Sequence, residues 1–243
     1  MLPDWPTLFE PRPLDARAVR LDFPDFAAPL WFASVGTEDL VAMPVEHFLA
    51  EAERRRASAF KFDQPRQNFA LGRLAGKLAL AGALGTPGEY CEIANGERGE
   101  PVVRAEAGRA VAFGVSLSHV NGRGVAVAFP AGMRVGLDLE RIDPKRAETV
   151  RKGVPLSPAE ENWLKQPGWP DATALLALWT AREALGKALG SGMACKWDGL
   201  ALQEFTTAGA AAIQGRYLYQ PAFRCLSWMG PDAVLSLTYE AGA

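Results

Sequence analysis

Twice along the chain a long helix-forming tract is followed by turns and then by alternating strands, a repeated plan that restricts the fold more than any other feature. The first tract, "RQNFALGRLAGKLALAGALG" (66–85), follows the break at Pro65 and stops at Gly85. After it, "AVAFGVSLSHVNGRGVAVAF" (110–129) reads as two apolar strands around Asn121-Gly122, a strong hairpin signal. The second tract, "DATALLALWTAREALGKALGSG" (171–192), starts near Asp171 and stops near Gly190. Two more alternating runs, "RYLYQPAFRCLSWMG" and "AVLSLTYE", close the chain across Gly230-Pro231-Asp232. These patterns predict an α+β protein of two similar lobes, each with a long helix packed on a small antiparallel sheet. The boundary falls near Pro130–Gly132, giving an N-terminal lobe of residues 1–131 and a C-terminal lobe of residues 132–243. No residue-level repeat accompanies the similarity of plan.

Smaller elements complete the reading. A strand is expected around Leu30–Val35, and "PVEHFLAEAERRRASAFKF" (44–62) reads as one helical tract. "NGERGEP" (95–101) is a turn-rich connector. "SPAEENWL" (157–164) opens a helix, with Ser157 as cap, Pro158 at the first position and Glu160 closing a capping box.

A chain of 243 residues, 49% hydrophobic and 22% charged, suits a globular protein with a sizeable core. Its formal charge of −2 argues against an overall electrostatic grip on nucleic acid or membrane. Cys91, Cys195 and Cys225 are scattered and odd in number, which speaks for a reducing compartment rather than a disulfide framework or zinc site. The proline-punctuated, acidic N-terminus lacks the pattern of a secretory signal, and no run is long enough to span a bilayer. A cytoplasmic location is the expectation.

The chemistry concentrates in a few places. In "VGLDLERI" (135–142) Val135, Leu137 and Leu139 alternate with Gly136, Asp138 and Glu140, so two carboxylates share one strand face. That face is either solvated or a place for a hard cation, which takes oxygen ligands from one or two carboxylates, waters and phosphates. Trp179, Glu183 and Lys187 share one side of the second long helix; Glu183 and Lys187 are either a surface ion pair or part of an enclosed site beside the aromatic ring. Ser118 and His119 sit at a strand end, where a hydroxyl and an imidazole suit phosphate. His47 has no nameable partner. Arg54, Arg55 and Arg56 form one basic cluster, of which at least one must point away from any ligand. Arg73 and Lys77 form another; arginine forks suit phosphate oxygens, and the plain alternative is solvated helix surface. There is no GxGxxG after a strand, no P-loop and no GxSxG elbow.

Taken in order, "SLSH" (116–119), "VGLDLE" (135–140) and "WTAREALGKALGSG" (179–192) resemble the motifs of the 4′-phosphopantetheinyl transferases, in the larger single-chain class that activates peptide, polyketide and fatty-acid synthases. "RRRASAFKFDQPRQNFALGR" (54–73) matches that family's basic helix pair in spacing. The resemblance implies transfer of the phosphopantetheine arm of coenzyme A to a serine of an apo carrier protein, releasing adenosine 3′,5′-bisphosphate. It implies Mg²⁺ or Mn²⁺ held by Asp138, Glu140 and Glu183, with Glu183 also the base and Lys187 neutralising pyrophosphate. Ser118 and His119 would hold coenzyme phosphates, helped by Arg56 and Arg73. It places the two lobes in a pseudo-twofold arrangement with the active site in the cleft between them, and two lobes in one chain make a monomer natural. Carrier contact would fall on residues 145–165. Two positions depart from the pattern: Glu100 stands where a phosphate-binding lysine is expected, with Arg98 or Arg104 as substitutes, and Arg182 replaces the lysine before the glutamate. The first departure leaves room for an alternative, a non-catalytic coenzyme A or nucleotide-binding module of the same fold.

Overall fold

The computed structural model describes residues 3–85, 91–104, 112–166, 168–191, 197–207 and 212–242; Cys195 and Gly192 lie outside them. The chain forms two compact units, one built on Pro6–Met133 and one on Arg134–Ala243 together with Leu2–Trp5. Both combine helices with antiparallel sheet.

The first unit holds α1 (Trp5–Phe9) from Pro6 onward, β1 (Val19–Leu21), β2 (Leu30–Gly36), α2 (Thr37–Ala42), α3 (Val45–Phe48), α4 (Glu51–Ser58) and α5 (Asp63–Leu84). A small hairpin, β3 (Glu92–Asn95) and β4 (Pro101–Arg104), precedes the main hairpin β5 (Phe113–Val120) and β6 (Arg123–Pro130). The main sheet has the order β1-β2-β6-β5, and α5 lies across it. Val125–Ala128 of the inner strand β6 are wholly buried. Val120 pairs with Arg123 around Gly122, whose positive φ gives the expected Asn-Gly turn.

Three local expectations change. The tract 44–62 breaks at Leu49–Ala50, which are extended, and the Glu53 carboxylate accepts the Ala50 N–H at 2.8 Å to start α4 afresh. Pro65 sits inside the first turn of α5 rather than before it, where the missing N–H costs no helical bond. The connector 95–101 is the turn of the β3–β4 hairpin, whose four-residue strands are too short to show periodicity.

The second unit holds β7 (Val135–Arg141), α6 (Pro144–Gly153), α7 (Pro158–Leu164), α8 (Asp171–Ala188), β8 (Leu202–Thr207), β9 (Ala212–Tyr217), β10 (Phe223–Met229) and β11 (Ala233–Glu240). Its sheet has the order β7-β11-β10-β9-β8, with α8 across it. The chain start is tied to this unit: the Trp228 indole donates to the Pro3 carbonyl at 2.7 Å. Ser157 and Glu160 form the expected capping box of α7. Among the described residues no helix is long and apolar enough to cross a membrane.

Each long helix meets its sheet at a strand glycine. A Cβ on Gly124 of β6 would sit 2.5 Å from the Leu71 carbonyl of α5. On Gly136 of β7 it would overlap the Ala184 carbonyl oxygen of α8 and lie 2.7 Å from the Ala188 nitrogen. Backbone cannot yield as a side-chain tip can, so Gly136→Ala must push α8 off the strand that carries Asp138 and Glu140. We expect this variant to lower the thermal midpoint by about 5–10 °C, as measured by calorimetry.

Candidate active site

Gly136, Asp138 and Glu140 point the same way along β7, and Gly136 abuts α8. The carboxylate face is therefore the face that α8 covers, not a solvated one. Asp138 is 8% exposed, and its Oδ1 accepts from the Lys187 Nζ at 2.8 Å; the same ammonium donates to the Leu137 carbonyl at 2.8 Å. Glu140 is bound through one oxygen by the Arg146 fork of α6, with both contacts 3.2 Å long. The Arg146 guanidinium in turn lies 4.8 Å over the Trp179 ring, and Trp179 packs on Trp197 at 4.6 Å. Trp179 is thus the apolar wall of this cluster, and Arg146 is a member that the sequence reading missed; its spacing six residues after Glu140 carries no periodic signal.

Glu183 completes the group. Burial first, then the negative charge of Asp138, lifts its carboxyl to about 7, against the pull of Lys187 and Arg146. Glu140 is also raised, mainly by burial and partly by Asp138. This electrostatic coupling joins Asp138, Glu140 and Glu183 in one neighbourhood of concentrated negative charge. All three offer hard oxygen donors, so they suit a divalent cation of the magnesium class in chemistry and charge. Their oxygens do not converge at ligating range: among the described residues no three His, Cys, Asp or Glu side chains gather that closely. Asp138 and Glu140 are instead engaged by Lys187 and Arg146.

Arg182, adjacent in sequence, does something else. It is wholly buried, and its Nε and Nη2 grip Glu160 at 3.1 and 2.5 Å. Its Nη1 donates to the carbonyls of Pro155 and Trp197 at 3.0 and 3.2 Å. One lysine ammonium cannot make that planar set of contacts, which explains the arginine at this position.

The first unit carries a second cluster, a groove of about 600 Å³ lined among others by Arg56, Phe69, Arg73, Asn95 and His119. Arg56 lies 6.0 Å over the Phe69 ring and has no carboxylate partner among the described residues. Arg54 instead donates to the Leu49 carbonyl, and Arg55 pairs with Glu51 at the surface, so one of the three arginines serves the groove. Arg73 lies 4.5 Å over Phe69 and donates through Nη2 to the Asn95 side chain at 2.8 Å. Arg73 and Lys77 are buried, not solvated: Glu53 reaches the Arg73 Nε at 3.4 Å and the Lys77 Nζ at 2.9 Å. Burial lowers the Arg73 pKa to about 10, against the pull of Glu53, so this guanidinium remains charged at neutral pH. Arginine forks beside an imidazole and an amide make a receptor for a phosphate ester.

Ser118 is not part of this groove. Val115 and Leu117 face Gly76 of α5, and His119 lies beside Gly72. Alternation along β5 turns Ser118 to the opposite side of the sheet, where it is buried. The neighbouring residues Ser118 and His119 therefore cannot serve one phosphate together. Glu100 does not line the groove either; its carboxylate accepts from the Arg98 N–H at 2.9 Å within its own hairpin turn. Arg104 is engaged by Glu92 at 3.6 Å, and neither Arg98 nor Arg104 lines the groove.

One unit thus offers carboxylates with a lysine, and the other offers arginine, imidazole and amide groups whose chemistry suits an anion. Residues 134–236, which contain β7 and α8, match the model of the 4′-phosphopantetheinyl transferase superfamily. A solved holo-(acyl-carrier-protein) synthase from Bacillus anthracis str. Ames, in complex with CoA (3′,5′-ADP), is similar at 25% identity with a TM-score of 0.35. The similarity covers 41% of this chain and 91% of that one. No curated protein matches the chain.

Proposed function

We propose that the chain is a 4′-phosphopantetheinyl transferase of the larger single-chain class, moving the arm of coenzyme A to a serine of an apo carrier protein. The observation that carries this reading is the meeting of Asp138, Glu140, Glu183 and Lys187 where β7 and α8 touch, within the family-matched segment. The carrier serine oxygen attacks the phosphorus that bears the pantetheine arm. The bond from that phosphorus to the bridging oxygen breaks, and adenosine 3′,5′-bisphosphate leaves with the electron pair. Glu183, whose carboxyl sits near neutrality, takes the serine proton. Lys187 offsets charge on the pyrophosphate oxygens as it builds in the transition state. Asp138, Glu140 and Glu183 would hold Mg²⁺, which supplies charge neutralisation and orientation when bound. The pyrophosphate belongs with these residues; separately, the chemistry of Arg56, Arg73 and His119 suits a phosphate monoester such as the coenzyme's ribose 3′-phosphate. Residues 145–165, which include most of α6 and all of α7, are the proposed carrier contact.

Calorimetric titration with coenzyme A, followed by addition of apo carrier, separates this reading from a binding module. The enzyme binds the coenzyme with Mg²⁺ present and then loses it as adenosine 3′,5′-bisphosphate appears; binding that persists unchanged with carrier would contradict transfer.

A further inference from the structure

The anion groove has a buried counterpart beneath it. Glu53 of α4 is 3% exposed, and its carboxylate joins three elements. Oε2 accepts from the Ala50 N–H at 2.8 Å and meets the Lys77 Nζ of α5 at 2.9 Å. Oε1 accepts from the Ile93 N–H of β3 at 3.1 Å and lies 3.4 Å from the Arg73 Nε. That last contact is in ion-pair range without hydrogen-bond alignment, since Arg73 Nε makes no hydrogen bond. Arg73 is held at its far end by Asn95, and the Asn95 amide donates to the Gly99 carbonyl at 3.1 Å. The guanidinium is thus fixed on one edge by Glu53, on another by Asn95 and on its flat face by Phe69. Its remaining nitrogen, Nη1, makes no hydrogen bond among the described residues while the residue lines the groove.

We propose that Glu53 is a positioning residue for phosphate recognition: it acts through Arg73, holding that guanidinium so that the groove selects a ligand bearing a terminal phosphate monoester. This rests on the reading that the groove takes the 3′-phosphate of coenzyme A. A guanidinium already oriented loses less side-chain freedom on binding than one free to rotate. The carboxylate is buried and does not line the groove, so it contacts the fork without presenting its own charge there. Lys77 gives the buried Glu53 carboxylate a second cationic partner, its Nζ 2.9 Å away. Replacing Glu53 by glutamine would leave Arg73 and Lys77 buried side by side without an anion. Arg73 would then turn from its present direction.

The test is the ratio of affinities for coenzyme A and 3′-dephospho-coenzyme A, measured by calorimetry on the full chain. Wild type should favour the 3′-phosphorylated ligand. Glu53→Gln should reduce that preference about tenfold while leaving the dephospho ligand unaffected. Glu53→Asp, which keeps the charge on a shorter arm and stays folded if the longer change does not, should fall between them. In an Arg73→Lys background the Glu53 change should have no further effect, because the residue acts only through the guanidinium. Equal weakening of both ligands would make Glu53 merely structural and overturn the proposal, as would an undiminished ratio in both Glu53 variants. A wild type that does not distinguish the two ligands would overturn the groove assignment itself, and with it this role. The two failures are therefore separable.

Discussion

Glu183→Gln is expected to lower turnover about 10²- to 10⁴-fold while making the metal-free protein more stable at pH 8. The two effects have one cause. Burial and Asp138 hold the folded-state pKa of Glu183 at about 7, above the usual 4.5. The folded chain therefore binds this proton more tightly than the unfolded chain. Stability falls as pH rises from about 4.5 towards 7, and the penalty is complete above 7. Glutamine removes that penalty. With the screening due to a partly exposed side chain allowed for, the gain is about 1–2 kcal/mol at pH 8 and close to nothing at pH 5. Denaturant unfolding of both proteins at the two pH values checks the sign. A variant that is destabilised at pH 8, or that retains wild-type turnover, would remove Glu183 from the role assigned to it.

The second large effect lies one residue away and has nothing to do with the reaction. Breaking the Arg182–Glu160 pair from either side should cost about 3–5 kcal/mol, since each leaves a fully buried charge without its partner. Glu160→Leu also strips acceptors from the Ser157 and Leu202 N–H groups, at 2.7 and 3.1 Å. Arg182→Met strands the carbonyls of Pro155 and Trp197. Arg182→Met together with Glu160→Leu should recover part of the loss, because no uncompensated charge remains. Denaturant midpoints of the three variants measure the coupling directly. Additive losses would mean that the pair is not a unit.

These two residues show what the sequence carries and what it does not. Both long helices, the two hairpins and the strand 135–141 were legible because each spans enough residues for a period or a turn to repeat. The four-residue strands β3 and β4 were not, nor was the break at Leu49–Ala50, which depends on the Glu53 carboxylate reaching back to a backbone N–H. At the site, Asp138, Glu140, Glu183 and Lys187 were visible as a motif, and the structure brings β7 and α8 together. The burial of that strand face was not visible, because it depends on Gly136 admitting the helix backbone, and a glycine shows no contact in one dimension. Arg146 and Glu53 were missed for the same reason: their partners come from other elements at irregular separations. Ser118 was expected to act with His119 by adjacency, whereas strand alternation sends the two to opposite faces. For Arg73 and Lys77 the alternatives are phosphate binding and solvated helix surface; both are buried, and Glu53, whose carboxylate meets the two cations, is a partner that no local pattern reveals.

The central claim is transfer. Intact-mass measurement on a panel of apo acyl, peptidyl and aryl carrier proteins, incubated with this chain, Mg²⁺ and coenzyme A, tests it most directly. The account predicts that at least one carrier gains the mass of a single phosphopantetheine arm on its serine, that adenosine 3′,5′-bisphosphate appears in equal amount, and that omitting Mg²⁺ abolishes both. Carriers that all keep their apo mass while the protein binds coenzyme A would contradict it.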